Sequence, residues 1–327
     1  MKKIFFYNTL VFFLIILSLE ILLRLFFDIT PQGLSKGIID DNSSNPRFNY
    51  SNIKNAKVFG KKVYTDENGF RITNKKTNKK TNKKNVYFVG GSVTFGSGVG
   101  QSSTFSGILD SRFKNLNVFN ASVIGSNIEN NYYILKNKIE NENLKKIYIN
   151  FSLDDIVIEE IVQHGLEQDN NKDNILKKFK KNPILVKLNT FVRSKSVIYV
   201  WIKGFIFGAE EGYYIYAHDT FKNEKNIAYL KKNLDMIKEH NDRIKDKITF
   251  LIIPYSYQVK NKNCKAEDLA EKTIQDELSN REFKFHKIKD LFCKNDKINK
   301  LYLNQDPSHL SRYGHKILAD FIEQDLK

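Results

Sequence analysis

The chain has only two cysteines, Cys264 and Cys293, in 327 residues. That is too few for a disulfide scaffold, and they lack the paired spacing of a metal site. A single bridge and two separate thiols both fit the sequence; export to an oxidising compartment would permit the bridge. Also missing are zinc-finger spacing, a basic helix with base-reading side chains and an aromatic RNA-binding signature. Those absences matter because the formal net charge is +16, which alone would suggest nucleic acid. Six of the lysines fall in one low-complexity tract, Asn74 to Asn85, which reads NKKT, NKKT, NKKN. The others are spread along a chain rich in Lys, Asn and Ile. The basic excess therefore reads as a solvated surface facing anionic lipid or glycan, with no nucleic-acid partner.

Small residues are absent where a signal peptidase would need them. Lys2 and Lys3 precede an uncharged apolar run from Ile4 to Leu19, continued as EILLRLFF to Phe27. A bilayer core takes ~20 helical residues, and this run is long enough. Phe26, Phe27 and Asp28 follow it, so an uncleaved anchor over residues 1–29 is expected instead of a removed signal. Glu20 and Arg24, one turn apart, can pair or snorkel at the outer interface. The leading lysines place the amino terminus in the cytoplasm and the body outside, in the periplasm or at the cell surface. A second span is not expected, because the apolar stretch Ile184 to Phe207 is interrupted by Lys187, Arg193, Lys195 and Lys203. It reads as a largely helical insertion, within residues 156–246, over the active-site side or against the membrane surface.

What is present in quantity is core material, 41% hydrophobic and 13% aromatic, enough for one large domain plus accessories. Residues 30–84 form a juxtamembrane linker and accessory segment. Its turn formers are Pro31, Gly33, Gly37 and the run Asp40 to Pro46, and DENGFR (Asp66 to Arg71) reads as a hairpin turn at Asn68-Gly69. From residue 85 to 327 the pattern alternates. Strands are expected at Asn85 to Val89, Val118 to Val123, Lys146 to Leu153, Ile248 to Tyr255 and Phe283 to Ile288. Helices are expected at Ser102 to Phe113, Ile128 to Ile139, Ile227 to Ile244, Ala266 to Leu278 and His315 to Leu326. Such alternation predicts a parallel sheet between two helical layers, a three-layer α/β/α flavodoxin-like domain.

Two stretches carry chemistry. NVYFVGGSVTFG, from Asn85, is a buried strand ending in Gly90 and Gly91, so Ser92 sits between a strand's carboxyl end and a helix, where open α/β sheets place ligands. Near the other terminus, DPSHLSRYGH sets Asp306 three residues before His309 on a loop. A serine hydroxyl needs an imidazole to accept its proton and a carboxylate to orient that imidazole. Singly, Asp306 reads as a helix cap and His309 as a surface histidine. His315 reads as packing in the last helix. His164, His218, His240 and His286 lack ligand-like spacing, and this chemistry needs neither metal nor cofactor. The GYYIY cluster with Tyr213, Tyr214 and Tyr216 reads as core, with stacking on sugar rings as the alternative.

Taken together, GGSVTFG around Ser92, Gly125 after the second strand, the acidic turn Ser152 to Asp155 after the third and DPSH near the end resemble the SGNH/GDSL hydrolases. The resemblance covers Asn85 to the carboxyl terminus, and the anchor followed by DENGFR is similar to the membrane-anchored bacterial members. It implies Ser92 as nucleophile, His309 as base then acid, Asp306 as its orienting group, and the Ser92 and Gly125 amides as oxyanion donors. It further implies a serine esterase or O-acyltransferase acting on an acylated carbohydrate or other ester, with a membrane acyl donor as a partner in the transfer case. Where the family usually carries an asparagine donor, this chain has Asp154. An ionised carboxylate cannot donate, which leaves the third donor open between protonated Asp154, Asn150 and another group. A catalytically silent, anchored glycan-binding or assembly protein is the alternative that Asp154 sustains.

Overall fold

Five short apolar segments pair side by side, and their alternating side chains build two separate cores. The computed structural model describes residues 2–27, 29–35, 37–39, 47–73, 82–158, 183–260, 264 and 268–327. It opens with α1 (Lys2–Phe26) and the small antiparallel pair β1 (Ala56–Val58) and β2 (Lys61–Val63). Then come β3 (Lys84–Val89), α2 (Ser92–Phe95), α3 (Phe105–Arg112), β4 (Leu116–Asn120), α4 (Ile128–Asn137) and β5 (Leu144–Phe151). Four helices follow, α5 (Pro183–Arg193), α6 (Val197–Phe207), α7 (Ala209–Asp219) and α8 (Glu224–Arg243). The chain closes with β6 (Ile248–Ile252), α9 (Ser256–Lys260), α10 (Leu269–Ser279), β7 (Lys284–Lys287), α11 (Ile288–Cys293) and α12 (Arg312–Leu326).

The main sheet has the order β4-β3-β5-β6-β7, parallel throughout. That is the flavodoxin-like winding, in which the chain leaves its first strand towards one edge and then returns past it towards the other. In β3, Val86 and Phe88 face one layer while Tyr87 and Val89 face the opposite one, following the two-residue period of a strand. Helices α3, α11 and α12 cover the first face, and α4, α8 and α10 the second. Three layers with a parallel sheet are thus as expected from the alternation.

Element boundaries moved where local hydrogen bonding decided them. The helix expected from Ser102 begins at Phe105, because the Thr104 hydroxyl caps it by accepting the Gly107 N–H. The final helix starts before His315, at Arg312, since Ser311 accepts the N–H groups of Tyr313 and Gly314. In the accessory segment the regular strand pair is β1 and β2, closed by Phe59 and Gly60 at positive φ. DENGFR forms a turn closed by the antiparallel Thr65–Arg71 bridge, with Asp66 Oδ1 accepting from Asn68 and Phe70. Glu20 and Arg24 do pair, at 2.6 Å. The Asp40 to Pro46 turn run, residues 74–81 of the lysine tract and residues 159–182 of the insertion lie outside the described residues.

Of the two cysteine alternatives, the bridge is formed: Cys264 and Cys293 are joined with their α-carbons 5.7 Å apart. It ties the segment before α10 to the end of α11. Closing a loop of 29 residues restricts the unfolded chain, so the double variant Cys264→Ser/Cys293→Ser is expected to lose about 3 kcal/mol of stability. Urea unfolding of the oxidised wild type against the variant measures it.

Candidate active site

β3 ends in a turn that only glycine can make. Gly90 has φ +149°, and a Cβ there would meet Thr94 Oγ1 at 2.4 Å and the Asn150 carbonyl oxygen at 2.8 Å. Ser92 therefore opens α2 directly above the carboxyl end of the sheet's first strand, at the point where the winding reverses.

The partner of Ser92 comes from the loop between α11 and α12. His309 Nε2 lies 2.8 Å from Ser92 Oγ, and His309 Nδ1 lies 2.9 and 3.0 Å from the two Asp306 oxygens. Asp306 Oδ1 also accepts the N–H groups of Ser308 and His309, at 3.0 and 2.8 Å, so the carboxylate shapes the loop that carries its own partner. Burial pushes the Asp306 carboxyl up, but the charge of His309 and these hydrogen bonds outweigh it and hold it below the ordinary carboxylate range. An ionised Asp306 keeps the proton on Nδ1 and leaves Nε2 free to accept from Ser92.

Residues before the sheet reach this line from outside. The Phe59 ring meets His309 edge-on with centroids 4.9 Å apart. Gln32 donates from Nε2 to Asp306 Oδ2 at 3.3 Å, while its Oε1 accepts from Arg193 Nε of α5 at 2.6 Å. Arg71, the last residue of DENGFR, is fully buried. Its guanidinium donates to the carbonyls of Phe95, Gly96 and Val99, fastening the chain that follows Ser92. Nothing in the spacing of Gln32 or Phe59 marks them; DENGFR stood out in the sequence, but as a turn.

Around the expected oxyanion position the picture is mixed. Gly125 has φ +72°, and its carbonyl accepts from Arg47 Nη1 at 3.3 Å. Asp154 receives two hydroxyls, Tyr213 Oη at 3.0 Å and Tyr255 Oη at 2.6 Å. Tyr213 thus neither packs as plain core nor stands free for a sugar; Asp154's negative charge, then burial, raises its hydroxyl. Tyr214 donates to Asp268 at 2.7 Å and stacks on Tyr257, and Tyr216 is exposed. Burial and the neighbouring Asp154 push Asp155 well above the carboxylate range, against a hydrogen bond from Ser152 N–H. Asn150 is buried behind Gly90, and its side-chain amide has no partner among the described residues. Among the described residues no group of three or more His, Cys, Asp or Glu could hold a metal ion.

A serine after the first sheet strand and an Asp-x-x-His loop before the last helix thus meet on a three-layer α/β/α fold with flavodoxin-like strand order. No family model and no curated protein matches the chain. Among solved structures it is similar to a lipase/acylhydrolase from Enterococcus faecalis, at 12% identity over 74% of this chain and 95% of that one, with a TM-score of 0.43. A lipolytic protein of the G-D-S-L family from Veillonella parvula is 12% identical over 74% and 97%, with a TM-score of 0.41. A variant of an acetyl-xylooligosaccharide esterase from Geobacillus is 12% identical over 74% and 94%, with a TM-score of 0.43.

Substitutions at two residues test the scaffold of the site. Arg71→Met leaves buried carbonyls unpaired at about 1–3 kcal/mol each; a loss of roughly 3 kcal/mol in urea unfolding is expected, with Arg71→Lys recovering part of it. His315, on α12, is buried with Nδ1 accepting the Phe105 N–H at 3.3 Å. Burial, with the charges of Arg71 and His309, lowers it to about 3. Between its ordinary value of about 6.5 and that value the unfolded chain holds a proton that the native chain lacks. Stability should therefore fall on acidification by up to about 1.4 kcal/mol per pH unit, and His315→Gln should flatten that slope in a pH series of unfolding curves.

Proposed function

We propose that this protein is a membrane-anchored serine ester hydrolase or acyltransferase of the SGNH/GDSL type, acting on O-acyl groups, above all O-acetyl, of an envelope glycan. The observation that carries the reading is the unbroken line from Ser92 Oγ through His309 to Asp306. As Oγ attacks the ester carbonyl carbon, His309 Nε2 takes its proton and the carbonyl becomes an oxyanion, facing the backbone N–H groups of Ser92 and Gly125. Collapse breaks the bond to the sugar oxygen, which leaves with the proton from His309, and the acyl group stays on Ser92. Water, or a second sugar hydroxyl in the case of transfer, then gives its proton to His309 as it attacks the acyl carbon; the acyl–Oγ bond breaks and Ser92 Oγ takes that proton back from His309. Asp306 remains ionised throughout and stabilises the imidazolium.

In this reading the oxyanion hole is built from two backbone donors. Asp154 is engaged as an acceptor by Tyr213 and Tyr255, so it adds no third. A missing donor costs ~10²–10³ in kcat, so slow turnover is expected in water. The same feature favours the second reading, a catalytically silent glycan-binding protein on the same fold. α1 is long and apolar enough to span a bilayer; with Lys2 and Lys3 inside, the site would face the envelope.

The test uses the full chain in detergent, because Leu23 of α1 packs with Val197 and Val200 of α6. On a small acetyl ester, Ser92→Ala is expected to lower kcat by ~10⁴ or more; equal turnover by both proteins would sink the esterase reading. Covalent labelling of the wild type alone by a fluorophosphonate, with little acetate released, would select transfer. Retention of polysaccharide by both forms without labelling would select the silent binder.

A further inference from the structure

We propose that α5 and α6 form a second, interfacial membrane element, docking their apolar face on the headgroup and acyl-chain boundary of the leaflet where α1 emerges. This rests on reading α1 as a membrane span.

The first observation is the face itself. Phe191 on α5 is 63% exposed, and Phe205 and Ile206 on α6 are 77% and 64% exposed. Leu188 lies one turn before Phe191 and Ile202 one turn before Phe205 and Ile206, also exposed. Each helix therefore shows an apolar stripe at helical spacing. Large apolar side chains clustered at the surface mark an interaction site. Each helix has 11 residues, about 16 Å of length, which is half of what crossing a hydrocarbon core of about 30 Å demands. They can lie on a bilayer but cannot cross it.

Continuity with the anchor fixes the depth. Leu23 of α1 and Ile29 just beyond it bury against Val197 and Val200 of α6. The Glu20 carboxylate accepts the N–H groups of Val197 and Ile198 at 2.9 and 3.0 Å and the Ser196 hydroxyl at 3.0 Å. Arg24 donates to the Lys195 carbonyl at 2.6 Å. Glu20 and Arg24 sit in the last two turns of α1, where charged groups reach the outer interface. The start of α6 is thereby pinned at that level.

Charge names the partner. Residues 183–207 carry Lys187, Arg193, Lys195 and Lys203 and no Asp or Glu. An apolar stripe flanked by basic residues alone fits an anionic lipid surface, into which such helices sink by about 5–10 Å. The other side of the same hairpin rests on the catalytic loop. Gly204 lies so close to Gln305 that a Cβ would meet the Gln305 side chain at 2.6 Å, and Arg193 reaches Asp306 through Gln32. Docking would hold Ser92 at the membrane surface.

The chain contains a single tryptophan, and it is Trp201 on α6. The full chain is reconstituted in phosphatidylcholine/phosphatidylglycerol vesicles, with and without lipid brominated near the carbonyl end of its acyl chains. Brominated lipid is expected to lower Trp201 emission about twofold or more. The double variant Phe205→Glu/Ile206→Glu should keep its cooperative melt and its flotation with vesicles but recover most of the emission. Flotation without quenching would overturn this inference alone, whether the face is covered by a second copy or by another part of the chain. Quenching unchanged in the double variant would also overturn it, because proximity to α1 would then suffice. Failure of the wild type to float would overturn both this inference and the anchor.

Discussion

An ionised carboxylate buried away from water is costly unless donors surround it, and the architecture of this protein converges on meeting that demand at Asp306. Its own loop supplies two backbone N–H groups, His309 supplies a ring N–H, and Gln32 supplies a side-chain amide from a segment 274 residues away. With the charge held there, the imidazole keeps one tautomer and Ser92 faces a base. The strand, the Gly90 turn and the Arg71 clamp set the other end of the same line. Loss of either end would leave the histidine without an oriented partner.

The second constraint is that the elements around the loop of Asp306 and His309 are also those attached to α1. Gln32 lies just past α1, and Arg193 joins it to the α5–α6 hairpin, whose first turn on α6 is capped by Glu20 of α1. Rigid packing transmits position, so the segment that follows α1 forms part of the wall around Asp306 and His309.

Asp154 departs from the pattern in a way that local rules explain. A carboxylate in a donor's place would repel a developing oxyanion, and here the tyrosines of α7 and of the loop after β6 turn their hydroxyls on it instead. Those contacts join the helical insertion to the sheet's third strand end. They turn a position associated with catalysis into a brace for the wall of the cleft.

Periodicity and punctuation determined much of this in advance. The long apolar helix α1, the alternation of strands and helices and the parallel sheet were legible, because each depends on residue types at short spacing; Ser92 could be matched with Asp306 and His309, more than two hundred residues away, only because their two short motifs taken together resemble a known family. Helix starts were misjudged by a few residues at Phe105 and Arg312, where a single hydroxyl cap outweighs apolar spacing. The choice between bridge and free thiols for Cys264 and Cys293 required a distance across the fold. So did the roles of Gln32, Phe59 and Arg71, whose partners lie far off in sequence and leave no local signature. The sequence by itself determined which groups could do chemistry; only the tertiary structure decided what holds them, because a buried polar group's partners are chosen by packing and not by order along the chain.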